Sequence, residues 1–156
     1  MKEKNILCFG YRDWALNIYH SINEKSCFSV NVFQSRDKVN FDFISSFKPD
    51  YILFYGWSWI VDKSITDNFK CVMLHPSPLP KYRGGSPIQN QIINNEVDSS
   101  VTLFFMDQGM DSGDIIAQQY LSLKGSIKDI FDRIEKIGYG LTMNFLQNGY
   151  TATQQK

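Results

Sequence analysis

The chain has 156 residues, 43% hydrophobic and 21% charged, and its 16 Lys plus Arg equal its 16 Asp plus Glu. That length fits one domain able to bury a core without disulfides or metal, and the composition excludes a disordered chain. With no net charge and no dense Lys/Arg run, nothing draws it to nucleic acid or to a membrane surface.

In chain order, Ile6–Phe9 is a short apolar run ending at Gly10, and Trp14, Ile18 and Ile22 follow at helical spacing. Phe28–Phe33 alternates as a strand does, and Phe41, Ile44 and Phe47 make a helical stripe that Pro49 ends. Tyr51–Tyr55 reads as a strand buried on both faces. Asp62–Phe69 reads as a short helix and Cys71–Leu74 as another strand. A helix over about Ser86–Asn95, strands at Val101–Met106 and Ile115–Leu123, and an amphipathic helix over Ser126–Gln147 complete the order. The fold class predicted is α/β: a single Rossmann-like domain whose mainly parallel, twisted sheet is flanked by helices. Residues 1–148 form the domain, and the polar tail Gly149–Lys156 is expected to fray.

Cys8, Cys27 and Cys71 lie in apolar surroundings without a C-x-x-C pair, which reads as buried thiols in a reducing cytoplasm and no metal site. The first strand begins within a few residues of Met1 and no apolar run approaches bilayer length, so a cytoplasmic protein is expected, with no signal peptide or membrane partner. That strand ends Phe9-Gly10-Tyr11-Arg12 rather than G-x-G-x-x-G, which disfavours a nicotinamide cofactor. The turn still delivers a helix N-terminus suited to anions, with Arg12 beside it, although a surface Arg on a connecting loop reads as well.

Two clusters carry candidate chemistry. The first, His75-Pro76-Ser77-Pro78-Leu79-Pro80-Lys81-Tyr82-Arg83-Gly84-Gly85-Ser86-Pro87, holds four of the five prolines and one of the two histidines. Prolines at that density exclude helix and central strand, leaving a rigid loop at the tip of a buried strand. Open α/β sheets place their sites at such tips, although a lone His there is as readily bonded to backbone. His20, among polar neighbours in a helix, is assigned no role. The second cluster is Met106-Asp107-Gln108-Gly109-Met110-Asp111-Ser112-Gly113-Asp114. Any single Asp there could make an Asx-turn, yet nine residues exceed what a tight hairpin needs.

Together, residues 75–84, Pro87-Ile88, Val101-Thr102 and 106–115 resemble the folate-dependent formyltransferases, and most closely the sugar N-formyltransferases. The resemblance spans about Asn5 to Leu146. It implies formyl transfer from 10-formyltetrahydrofolate to an amine, with His75 stabilising the oxyanion. Asp111 would pair with His75 and assist proton removal from the amine. It further implies a folate pocket between Ser58, Trp59, Ile60 and Val61 on one side and the loop of Asp107 and Gly109 on the other; core packing is the plainer reading of Trp57 and Trp59. Relatives carry Asn two residues before the His, where this chain has Met73. Gln89, Asn90, a backbone N–H or water would then have to replace that donor.

The acceptor expected is an amino sugar on a nucleoside diphosphate, with Gly10, Tyr11 and Arg12 at the first turn and Lys81, Tyr82 and Arg83 on the Pro-rich loop holding it. The chain ends soon after the closing helix, so tRNA is not expected as a partner. Glycinamide ribonucleotide, or a folate- or nucleotide-sugar-binding module without catalysis, are the alternatives. The apolar residues Phe131, Ile134, Leu141 and Phe145 face either the sheet or a second subunit, which leaves a homodimer open.

Overall fold

A computed structural model describes residues 3–156. Six strands form one sheet in the order β2-β1-β3-β4-β5-β6: β1 (Asn5–Phe9), β2 (Ser29–Phe33), β3 (Tyr51–Phe54), β4 (Cys71–His75), β5 (Asp98–Phe105) and β6 (Ile115–Ser122). The helices are α1 (Asp13–Lys25), α2 (Phe41–Phe47), α3 (Lys63–Asn68), α4 (Pro87–Ile93) and α5 (Ile127–Asn148). The pairs β1–β2, β1–β3 and β3–β4 are parallel, while β4–β5 and β5–β6 are antiparallel. Only β5 therefore runs against the rest, and the sheet is mainly parallel as the alternating order predicts.

The period of two along the central strands sorts the core into two layers. Ile6, Cys8, Leu53, Tyr55, Val72 and Leu74 face Ala15, Ile18 and Ile22 of α1 and Ile130, Ile134 and Phe145 of α5. Leu7, Phe9, Ile52, Phe54 and Cys71 face Ile44 of α2 and Ile65 of α3. Ile134 and Phe145 are thus core rather than dimer surface. Helices α1 and α5 approach closely because Gly138 has no side chain: a Cβ there would lie 2.8 Å from Ile18 and from Leu74. α5 begins with a capping box between Ser126 and Asp129, which satisfies two backbone donors of its first turn.

The strand tips are tied by a buried phenol. Tyr19 Oη donates to the Phe9 carbonyl (2.7 Å) and accepts from the Tyr55 N–H (2.7 Å), joining β1 to the end of β3. This fixes the crevice where the chain turns outward from β1 in both directions, the switch point at which such sheets bind ligands.

The tail does not fray. Thr153 exchanges two backbone hydrogen bonds with Ile115, each 2.8 Å, extending the edge beside β6. Tyr150 packs against Phe105 and Phe145 at centroid distances of 5.0 and 5.2 Å. Its polarity concealed an aromatic anchor and a strand edge in need of partners.

Candidate active site

His75 ends β4, and the Pro-rich loop that follows is held from three directions. The Ser77 hydroxyl donates to the Lys81 carbonyl, and Thr102 Oγ1 of β5 donates to the Ser77 carbonyl, both at 2.7 Å. Gln118 Nε2 of β6 donates to the Leu79 carbonyl at 2.8 Å. The buried Gln91 of α4 donates to the carbonyls of Pro76 (2.8 Å) and Pro87 (2.9 Å) and accepts from Ser99 Oγ at 2.5 Å. A loop without regular structure thereby satisfies its backbone, which a buried loop must do.

The second loop leaves β5 at the opposite edge, where the Met106 N–H meets the Cys71 carbonyl. It then folds back over the sheet face between Met73 and Phe104, which are register partners on β4 and β5. Asp107 makes the Asx-turn, accepting from the Gly109 N–H (2.9 Å) and the Ser112 hydroxyl (2.8 Å). Gly113 lets the loop return, since a Cβ there would sit 1.6 Å from the Phe105 carbonyl oxygen.

Asp111 arrives at His75 in a left-handed backbone conformation, φ 52°. Its Oδ2 accepts from the Gly84 N–H at 2.8 Å and lies 3.5 Å from His75 Nδ1. On the other side of the ring, Nε2 lies 2.8 Å from the Tyr82 carbonyl. A ring nitrogen facing a carbonyl must carry a proton. With Nε2 so engaged, Nδ1 presents a lone pair to the carboxylate in the neutral ring and an N–H in the cationic ring. Only the cationic ring is attracted on both sides. The pair is nearly buried, with side-chain exposures of 7% and 13%, so that attraction is weakly screened.

Beside this pair opens a cavity of about 760 Å3. One part lies over Met73, Phe104 and Met106, between the 57–61 segment and the 106–111 loop. The other reaches toward Arg12, Asp13 and Trp14 at the start of α1, Ser86–Gln89, and Phe131 and Glu135 of α5. Trp57 is 7% exposed and packs on Phe9 and Phe54, so it is a core residue whose remaining surface lines the cavity. Trp59 is half-exposed, tilted at 53° to the Tyr11 ring at a centroid distance of 5.0 Å, with Arg36 over its own ring at 5.5 Å. Tyr11 bonds Ser58 Oγ at 2.5 Å.

The family model for formyl transferase matches residues 14–141. The chain belongs to the formyl transferase family. A methionyl-tRNA formyltransferase from Orientia tsutsugamushi (strain Boryong) is 36% identical over 151 residues, covering 90% of this chain and 48% of that protein. The solved methionyl-tRNA formyltransferase from Clostridium thermocellum superimposes with a TM-score of 0.90 at 32% identity, over 98% of this chain and 69% of that one. The formyltransferase PseJ from Anoxybacillus kamchatkensis, solved with UDP-4,6-dideoxy-4-formamido-L-AltNAc and tetrahydrofolate, gives 0.74 at 23% identity over 97% and 82%. That last likeness shows the fold alone. The chain spans about half the length of the Orientia relative it matches. The formyl transferase family is thus established, while a place nearest its sugar enzymes is not, because the more similar of these neighbours carry the methionyl-tRNA name.

Within this formyl transferase fold, His75 and Asp111 come together, and Ser58, Trp59, Ile60, Val61, Asp107, Gly109, Gln89, Met73 and Arg12 all line the cavity. Gly10, Tyr11, Lys81, Tyr82, Arg83 and Asn90 are not among its lining residues. Gly10 is a packing glycine: a Cβ would lie 2.9 Å from the Tyr55 carbonyl and 3.0 Å from Tyr19. Tyr82 turns its hydroxyl to Glu96 and Asn94, Arg83 binds Gln155, and Asn90 Nδ2 donates to the Gly85 carbonyl at 3.2 Å. Gln91, Gln118 and Gln155 escaped the sequence reading, and Thr102 entered it only as part of the family pattern, because a hydrogen bond from a polar side chain to a loop carbonyl leaves no mark in the sequence. Among the described residues, no cluster of His, Cys, Asp or Glu is arranged to hold a metal ion, and no helix is long and apolar enough to cross a membrane.

Proposed function

We propose that this chain catalyses formyl transfer from 10-formyltetrahydrofolate to a primary amine. One observation carries the reading: a buried His75–Asp111 pair on the wall of a cavity large enough for a fused-ring ligand, in the fold of this family. Trp59, Ile60, Val61, Met73 and Phe104 give that cavity apolar walls, and the 107–111 backbone gives it polar edges. A folate fits such a lining. The folate donor, when bound, supplies an activated formyl carbon.

His75 then acts through a ring N–H. As the amine attacks, negative charge develops on the formyl oxygen, and an imidazole N–H exchanges the Tyr82 carbonyl for that oxygen. Asp111 holds the ring in orientation and draws the proton released by the amine, through water where the distance requires it. As the tetrahedral carbon collapses, its bond to the folate nitrogen breaks and that nitrogen takes the proton, so the amine keeps the formyl group and tetrahydrofolate departs. Gln89, exposed two residues into α4, lines the same cavity as Met73 and is the side-chain donor offered in place of the missing amide.

For the acceptor, the names of the relatives make methionyl-tRNA the first amine to assay. An amino sugar on a nucleoside diphosphate is the second, favoured by Arg12 and Trp14 at the open end of α1, where a cation and a ring could meet a diphosphate and a base. The test is mass spectrometry of both acceptors, with glycinamide ribonucleotide alongside, after incubation with 10-formyltetrahydrofolate. A mass gain of one formyl on any of them supports the proposal and names the acceptor. Folate binding without a formylated product would leave a binding module.

A further inference from the structure

The tail closes on the site. The Thr153–Ile115 pairing brings Gln155, half-buried, to the outer side of the two loops. Gln155 Nε2 donates to the carbonyl of Asp111 at 2.9 Å and to that of Gly113 at 2.8 Å. Its Oε1 accepts from Arg83 Nη2 at 2.9 Å and Nε at 3.2 Å. One amide thus fastens the Pro-rich loop, through Arg83, to the loop that carries Asp111. Asp111 is where such a fastening matters, because it holds a left-handed backbone (φ 52°) that a residue with a side chain adopts at a cost. In that conformation its carboxylate lies 3.5 Å from His75 Nδ1, and its carbonyl is one of the two that Gln155 holds.

We infer that Gln155 is a positioning residue: its amide locks the Asp111 peptide and so sets the carboxylate against His75. The kinetic part of this rests on the formyl-transfer reading; the structural part does not. Gln155→Ala removes every contact, whereas Gln155→Glu keeps an acceptor for Arg83 and loses the donors to Asp111 and Gly113. Gln154→Ala, at an exposed neighbour, is the control.

Two lost hydrogen bonds at the loop predict a fall in kcat of roughly tenfold for both Gln155 variants. In an Asp111→Ala background, Gln155→Ala should cost less than about twofold more, because the carboxylate it positions is gone. A Gln155→Glu enzyme with wild-type kcat, or a Gln155→Ala loss undiminished in the Asp111→Ala background, would overturn the inference. Hydrogen exchange decides it independently of activity: Gln155→Ala should speed exchange in peptides spanning 82–85 and 107–113, with β1 and β3 unchanged. Equal protection in wild type and variant would overturn it even if no acceptor is formylated. Absence of transfer by the wild type would count against the formyl-transfer reading alone.

Discussion

Met73 is where this chain departs from the pattern it resembles. It is half-buried on β4 opposite Phe104 and lines the cavity two residues before His75. A thioether there offers packing and no N–H, so the formyl oxygen must find its second donor elsewhere. Met73→Asn places an amide at that position. It is expected to raise kcat for formyl transfer and to lower the melting temperature, since an apolar side chain packed on the core cluster of Phe9, Phe54 and Trp57 is exchanged for a polar one (roughly 1–3 kcal/mol). Steady-state kinetics and a thermal melt check both. An unchanged kcat would mean that another group already holds the oxygen. His75 and Asp111 were singled out through the resemblance that their two loops carry, and the structure brings the side chains within 3.5 Å of each other. A backbone bond to the His was the alternative reading; its partner, the Tyr82 carbonyl, was not legible, since a backbone acceptor leaves no mark in the sequence.

At the scale of elements, the site depends on how α4, β5 and β6 anchor a loop with no ladder of its own. Gln91 is the buried hub of that anchoring, 0% exposed, with bonds to Pro76, Pro87 and Ser99. Gln91→Ala leaves two carbonyls and a hydroxyl to find new partners. It is expected to cost roughly 2–3 kcal/mol of unfolding free energy, read as a lower urea midpoint with an unchanged slope. The elements themselves were legible, because apolar runs and helical stripes such as Ile6–Phe9 and Trp14-Ile18-Ile22 report local burial. The loop anchors were not. Thr102 and Gln118 look like any polar residues in strands, and Gln155 looks like Gln154, with partners 42, 44 and 72 residues away.

For the whole molecule, burial decides the response to pH. Desolvation pushes the Cys71 thiol from an ordinary 9.0 up to about 12, and it raises the Cys8 thiol and the Tyr19 and Tyr55 phenols as well. These groups keep their protons in the folded state after the unfolded chain has begun to lose them. Their contribution is complete below about pH 9 and declines as pH rises from there toward 12, by about 1.4 kcal/mol per pH unit for each such group. Urea midpoints measured from pH 8 to pH 10.5 should therefore fall. Cys8 and Cys71 are buried as expected, but Cys27, expected to be buried with them, is exposed in the bend between α1 and β2. A thiol reagent at pH 8 should accordingly titrate one cysteine in the native protein and three after denaturation.

The most direct measurement of the central claim follows a 13C-formyl label from 10-formyltetrahydrofolate into the product amine, for the wild type, His75→Asn and Asp111→Asn. Losing a charged donor aimed at a developing oxyanion costs roughly 100- to 1000-fold in rate. The account predicts labelled product from the wild type and a loss of that order in both variants, with tetrahydrofolate binding retained. Variants that transfer the label at the wild-type rate would contradict it.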